Sequence, residues 1–140
     1  MKTLSQMIKV VQSLVPAVRT STTSSETVVD TKGFNNVCWI ILAGALTTGG
    51  GTPETYTCAV YESDNSDGSS ASAISGASTT ITAANQDKKI QVNGLGTGSR
   101  KRYQFLRITM AGSSPSIAGG ATALLALKSF GPSEDAAATV

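Results

Sequence analysis

The side chains able to do acid–base or metal chemistry are few, and the commonest of them is missing. The 140 residues contain 11 Lys and Arg, 9 Asp and Glu, 2 Cys and no His. Without imidazole the usual general base and metal ligand is absent. A serine nucleophile would then need a lysine partner, and no lysine lies in a cleft-like stretch. Acid–base catalysis also needs paired groups whose environments push their pKa values apart. Here the carboxylates fall mainly in loops and at strand ends, with no pair two residues apart on a clearly buried strand. The chain is therefore expected not to be an enzyme, with no catalytic residue, no cofactor and no metal site.

Three local patterns still need a reading. Glu62-Ser63-Asp64-Asn65-Ser66-Asp67-Gly68 alternates oxygen donors and closes on a glycine, as calcium loops do. It lacks their terminal glutamate, and reads as a hairpin connection whose Asp and Asn bond their own backbone. Gly94-x-Gly96-x-Gly98 lies between strands, whereas a phosphate loop needs a helix after it. It reads as a hairpin end. Arg100-Lys101-Arg102 is the one basic cluster. It is either a solvated strand entrance that discourages edge pairing or a contact for an anion or acidic protein. Cys38 and Cys58 both fall in predicted strands and read as buried free thiols of a reducing cytosol.

The elements that position these groups start from Val37–Leu46, ten residues without a charge and with no polar group beyond an indole N–H and a thiol. A bilayer-spanning helix needs ~20 apolar residues. A short, β-branched run between turn signals reads as a buried central strand over 36–46, with Trp39 in the core. Further strands are expected at 27–30, 55–63, 79–83, 88–92, 101–110 and 121–129. A short one is expected near Ala73-Ile74, inside a polar loop over 64–76. In 55–63, Tyr56, Cys58 and Val60 share one face; in 101–110, Leu106, Ile108 and Met110 do, with Tyr103, Phe105 and Arg107 on the other. Residues 20–25 read as a polar linker, 47–53 and 112–120 as loops. Charged residues at 14% and aromatics at 5% fit an all-β chain. Nothing between the strands reads as a crossover helix, so the sheets are antiparallel. The expected fold is an all-β, antiparallel, jelly-roll-like β-sandwich with a short N-terminal helix.

Leu4, Met7, Ile8, Val11 and Leu14 recur at helical spacing, and Thr3-x-x-Gln6 resembles a capping box. A helix is predicted over 3–14, limited by Pro16. The competing reading is a strand, because Ile8, Val10 and Val11 are β-branched. The segment is either a lid on the core or an arm that docks on a partner. The organisation is then an N-terminal arm or helix over 1–20, a sandwich over 21–130 and a mobile tail over 131–140. The opening residues carry Ser5, Gln6, Lys9, Gln12 and Ser13, too polar for a signal peptide, so synthesis and use in the cytoplasm are expected. A net charge of +2 is too small to argue for nucleic acid, and no membrane contact is expected.

Three stretches together resemble small virion proteins of tailed bacteriophages, the capsid cement or decoration proteins of jelly-roll type. They are Val29-Asp30-Thr31-Lys32-Gly33-Phe34-Asn35, then Val60-Tyr61-Glu62-Ser63-Asp64 with Asp67-Gly68, then Lys101-Arg102-Tyr103-Gln104-Phe105-Leu106-Arg107-Ile108-Thr109. They span about residues 27–110 and are structural punctuation, not catalytic signatures. The resemblance implies a structural protein of the virion that binds the outer capsid surface and clamps neighbouring major capsid subunits. A tail or head-completion protein, or a carbohydrate-binding sandwich, is the alternative. The expected partners are the major capsid protein and a second copy, as a homodimer. The final strand, Ala123, Leu125 and Leu127, is the expected self-pairing edge. Capsid contact is expected through Leu4, Met7, Ile8 and Val11 of the N-terminal segment and through Arg100, Lys101 and Arg102.

Overall fold

The computed structural model describes residues 3–24, 27–47 and 54–127. Along them run a short helix α1 (Leu4–Met7) and the strands β1 (Ile8–Arg19), β2 (Thr23–Ser24), β3 (Val29–Asp30), β4 (Asn36–Leu46), β5 (Thr55–Ser63), β6 (Ser72–Ile81), β7 (Asp87–Val92), β8 (Tyr103–Ala111) and β9 (Ile117–Ala126). A front sheet has the order β1-β9-β4-β7, and a back sheet the order β2-β8-β5-β6, with β3 beside β2 on the same edge of β8. Every pairing is antiparallel. The partners are nested: β1 with β9, β3 with β8, β4 with β7, β5 with β6. One long hairpin, rolled until β4 meets β9 and β5 meets β8, gives this order, which makes the sandwich jelly-roll-like.

Alternation along each strand decides what the layers bury. β4 turns Val37, Trp39, Ile41 and Ala43 inward, and β5 turns in Tyr56, Cys58 and Val60. β8 adds Leu106, Ile108 and Met110, while β9 adds Ala121, Ala123 and Leu125. Trp39 is 0% exposed and sits in this core. Residues 93–102 cross from the front sheet to the back one and close one end with Leu95, also 0% exposed. At the other end the Tyr56 hydroxyl lies 2.8 Å from the Thr47 carbonyl and accepts the Ser116 N–H at 3.0 Å.

Several expectations need correction. The helix read over 3–14 ends at Met7, and Ile8–Arg19 is an edge strand paired with β9. Its β-branched residues and the partner strand outweigh the helical spacing. Ile8 and Val11 therefore point to opposite faces. The polar stretch 20–25 contributes β2, which pairs with Ile108 and Arg107. The loop expected over 64–76 stops at 71. β6 then runs without a break through a wide irregularity, where two steps on β5 (Ala59 to Tyr61) match five on β6 (Ser78 to Ala73). Gly76, at φ +77°, supplies the turn that this needs.

The last strand begins at Ile117, inside the expected loop. A Cβ on Gly119 would lie 2.5 Å from the Leu42 carbonyl oxygen, and one on Gly120 2.9 Å from that of Leu14. The glycine pair is strand backbone gripped on both sides, not a loop. β9 therefore has no free edge, and Ala123 and Leu125 face the core, so self-pairing through this strand is excluded. Of the loop expected over 47–53, residues 48–53 lie outside the described residues, as does the tail expected over 131–140.

Candidate functional site

The polar groups read from the sequence are mostly spent on holding the fold. Arg100, Lys101 and Arg102 leave the 93–102 crossover at the entrance to β8, and a different carboxylate meets each. Arg100 Nη1 lies 3.6 Å from Glu62, Lys101 Nζ 3.0 Å from Asp64, and Arg102 Nη2 2.6 Å from Asp30. The Lys101 backbone N–H also donates to Glu62 Oε2 at 3.1 Å, and Thr31 donates its N–H and hydroxyl to the Arg102 carbonyl. The cluster works as a clasp that ties β3, β5 and the 64–71 turn to β8. Arg102 holds the Asp30 carboxyl down at about 2, first through its hydrogen bond, while burial opposes the shift.

The 62–68 loop is closed in the same way. Asp67 Oδ1 accepts the Ser69 N–H at 2.9 Å, which lowers its pKa. Ser63 Oγ donates to the Ser69 carbonyl at 2.5 Å and accepts the Asn65 N–H at 3.0 Å. Gly68, at φ +74°, lies flat over Phe105, where a Cβ would come within 3.1 Å of the ring. Among the described residues no group of three His, Cys, Asp or Glu side chains could hold a metal ion. The loop caps itself, as its Asp, Asn and Ser content predicts.

A carbohydrate platform needs free aromatic faces. On the outer face of the back sheet Tyr61 stacks on Phe105 at 5.7 Å, and the Arg107 guanidinium covers Tyr61 at 4.1 Å. Arg102 lies 5.0 Å from the Tyr103 centroid. These rings are engaged with the protein's own side chains.

Both cysteines are free, but only Cys58 is buried. Burial pushes its thiol up to about 12. Cys38 is half-exposed on the outer face of the front sheet, a correction to the expectation that both are buried. Burial raises its pKa, and the charge of Lys89 partly opposes this. Neither is an activated thiolate at neutral pH.

What the sequence reading missed is that outer face. Ile8 and Val10 on β1, Leu124 and Ala126 on β9, and Cys38, Ile40 and Leu42 on β4 point away from the core in register with one another. The most exposed large apolar side chains among the described residues are Val10 at 64%, Val15 at 44%, Val18 at 68% and Leu42 at 53%, all on the front sheet. Ile8, Asn36, Val37, Cys38, Gln91, Leu124 and Ala126 line a shallow hollow of about 270 Å³ there. The hollow beside the back sheet differs in kind: about 510 Å³ and polar, it is lined by Asp64, Asn65, Ser66, Asp67, Ser69 and Tyr103.

Of the residues expected to touch a capsid, Met7 closes α1, Ile8 lines the hollow, and Val11 packs against the core. Leu4 opens α1. Ile8 and the Arg100–Arg102 clasp share one end of the sandwich, but on different sheets. No helix among the described residues is long and apolar enough to cross a membrane. In comparison with known proteins, no family model and no curated protein matches the chain.

Proposed function

We propose that this chain is a structural protein of a bacteriophage particle that binds the outer capsid surface and clamps neighbouring major capsid subunits. The observation that carries the reading is a division of labour between the two sheets. The reactive-looking groups are tied up in the clasp and in the self-capped loop. What the described residues leave open is a broad apolar sheet face. Open apolar faces of this kind mark surfaces for a partner. The resemblance of residues 27–110 to cement proteins points the same way, and the jelly-roll-like strand order agrees with it. A protein that binds only the assembled shell stabilises it by mass action, about 2.7 kcal/mol per site at a hundredfold excess over Kd. Two-fold pairing of copies belongs to the same proposal. Strand-to-strand pairing would need a free edge, which among the described strands β1, β7, β6 and the β2–β3 side have and β9 lacks.

The test is a count of copies in purified particles by quantitative mass spectrometry. Hundreds of copies are expected. A dozen or fewer would make it a connector or tail component, and none would end the virion reading.

A further inference from the structure

We infer that Asn93 is a site of spontaneous deamidation, in which the Gly94 backbone nitrogen attacks the Asn93 side-chain amide and residue 93 becomes aspartate or isoaspartate. The site does not depend on the proposed function.

The chain has five asparagines, and only Asn93 precedes a glycine. A glycine has no Cβ to shield its own nitrogen. The structure adds an observation on each reactant. Asn93 is exposed and stands just past Val92, the last residue of β7, so no strand pairing holds it. The Gly94 N–H has no hydrogen-bond partner among the described residues, while its carbonyl accepts the Thr97 N–H and hydroxyl. The nucleophile is thus free within a turn that is fixed. On the side of the amide, Gln91 Nε2–H donates to Asn93 Oδ1 at 2.8 Å. A donor there stabilises the negative charge that gathers on Oδ1 as Cγ becomes tetrahedral.

The competing positions are occupied. Asp67-Gly68 has the same spacing, but the Gly68 N–H donates to the Asn65 carbonyl at 3.0 Å. The Ser69 N–H also holds the Asp67 carboxyl below its usual range, and a carboxylate carbon resists attack. Asn65 spends its Nδ2 on Ser69, Asn35 spends its own on the Leu95 carbonyl, and Asn36 lies within β4.

The step needs only water, and nothing is oxidised or reduced. The Gly94 nitrogen gives up its proton through water and its electron pair forms the N–Cγ bond. The Cγ–Nδ2 bond then breaks, and Nδ2 leaves as ammonia with that proton. Water opens the resulting succinimide. Addition at Cγ gives aspartate; addition at the Asn93 main-chain carbonyl gives isoaspartate, with an extra carbon in the main chain. That carbon falls between β7 and Leu95, whose N–H is fixed to the Asn35 carbonyl at 2.8 Å. Leu95 is 0% exposed and closes this end of the core. Isoaspartate therefore lengthens a connection pinned on both sides and loosens the closure.

The experiment ages the purified full-length protein, wild type and Asn93→Gln, at mildly acid and mildly alkaline pH. It reads peptide masses, isoaspartate by enzymatic methylation, and the melting temperature. Glutamine changes an exposed side chain and would need a larger ring, which closes far more slowly. In the wild type the exchange of NH for O is expected in the peptide that carries residue 93, several-fold faster at the alkaline pH. Isoaspartate is expected to accumulate with it while the melting temperature falls. Asn93→Gln is expected to lose all of these changes. No conversion at residue 93 in the folded protein, with conversion in the same chain unfolded in urea, overturns the site. Faster conversion at another asparagine overturns it equally. Accumulation of isoaspartate with no fall in melting temperature overturns the loosening at Leu95.

Discussion

Arg102 forks onto Asp30 across 72 positions of sequence, its Nε–H donating to Oδ1 at 2.8 Å and its Nη2–H to Oδ2 at 2.6 Å. The bond holds the folded-state pKa of Asp30 at about 2, against an ordinary 3.8. A carboxyl depressed on folding contributes stability that is present above its unfolded pKa and lost as pH falls through the folded one. The loss is therefore expected between about pH 4 and pH 2. With the two side chains 42% and 46% exposed, the effect on neutral-pH stability is small. In carboxyl NMR titrations Asp30 should show a midpoint near 2, and Arg102→Gln should return it toward 3.8. A wild-type midpoint already near 3.8 would contradict the ion pair.

Trp39 is fully buried, and its indole N–H has no hydrogen-bond partner among the described residues. It contributes through packing alone. Trp39→Ala should cost about 3–5 kcal/mol in denaturant unfolding, and wild-type emission should be blue-shifted. Emission at the wavelength of free tryptophan would refute the placement.

Gly119 tests the close approach of three strands. A methyl there would press on the Leu42 carbonyl oxygen at 2.5 Å, which is backbone and cannot swing aside. Gly119→Ala should cost about 1–3 kcal/mol, the range for overpacking. Gly44→Ala, whose added carbon would meet nothing nearer than 3.4 Å, is the control and should change stability little. Equal effects of the two substitutions would remove the steric explanation.

Gln104 is 0% exposed, and neither atom of its amide has a hydrogen-bond partner among the described residues. An unsatisfied buried polar group costs about 1–3 kcal/mol, and an apolar group of like shape relieves it. Gln104→Met should raise stability by about 1 kcal/mol. A loss of that size instead would mean that a bound water completes the amide's hydrogen bonds.

Much of the fold was legible because β4 and β5 carry strong local signals. Asn36–Leu46 and Thr55–Ser63 lie where the apolar run and the alternation put them. Legibility failed where long-range partners decide. Residues 8–14 satisfy helical and strand spacing together, and only pairing with β9 separates the two. Gly119 and Gly120 look like loop until β1 and β4 close on them. The outer face had a signal that went unused. Ile40 and Leu42 alternate with the inward Trp39 and Ile41, so the run is apolar on both sides, more than a single core requires. The pairing of Arg100–Arg102 with Glu62, Asp64 and Asp30 had no signal in spacing, because the crossover alone brings them together.

The nested strand order also sets a timetable for the nascent chain. β5 and β6 can close as soon as both are made, but β1 must wait for β9, its partner, to be made. About a hundred residues separate Arg19 from Ile117, roughly 5–20 s of translation at ~5–20 residues per second. Through that interval Val10, Val11 and Leu14 have no sheet to join. The outermost pairing is then the last to zip, so a ribosome stalled before β9 would release a chain with an open, apolar, aggregation-prone edge.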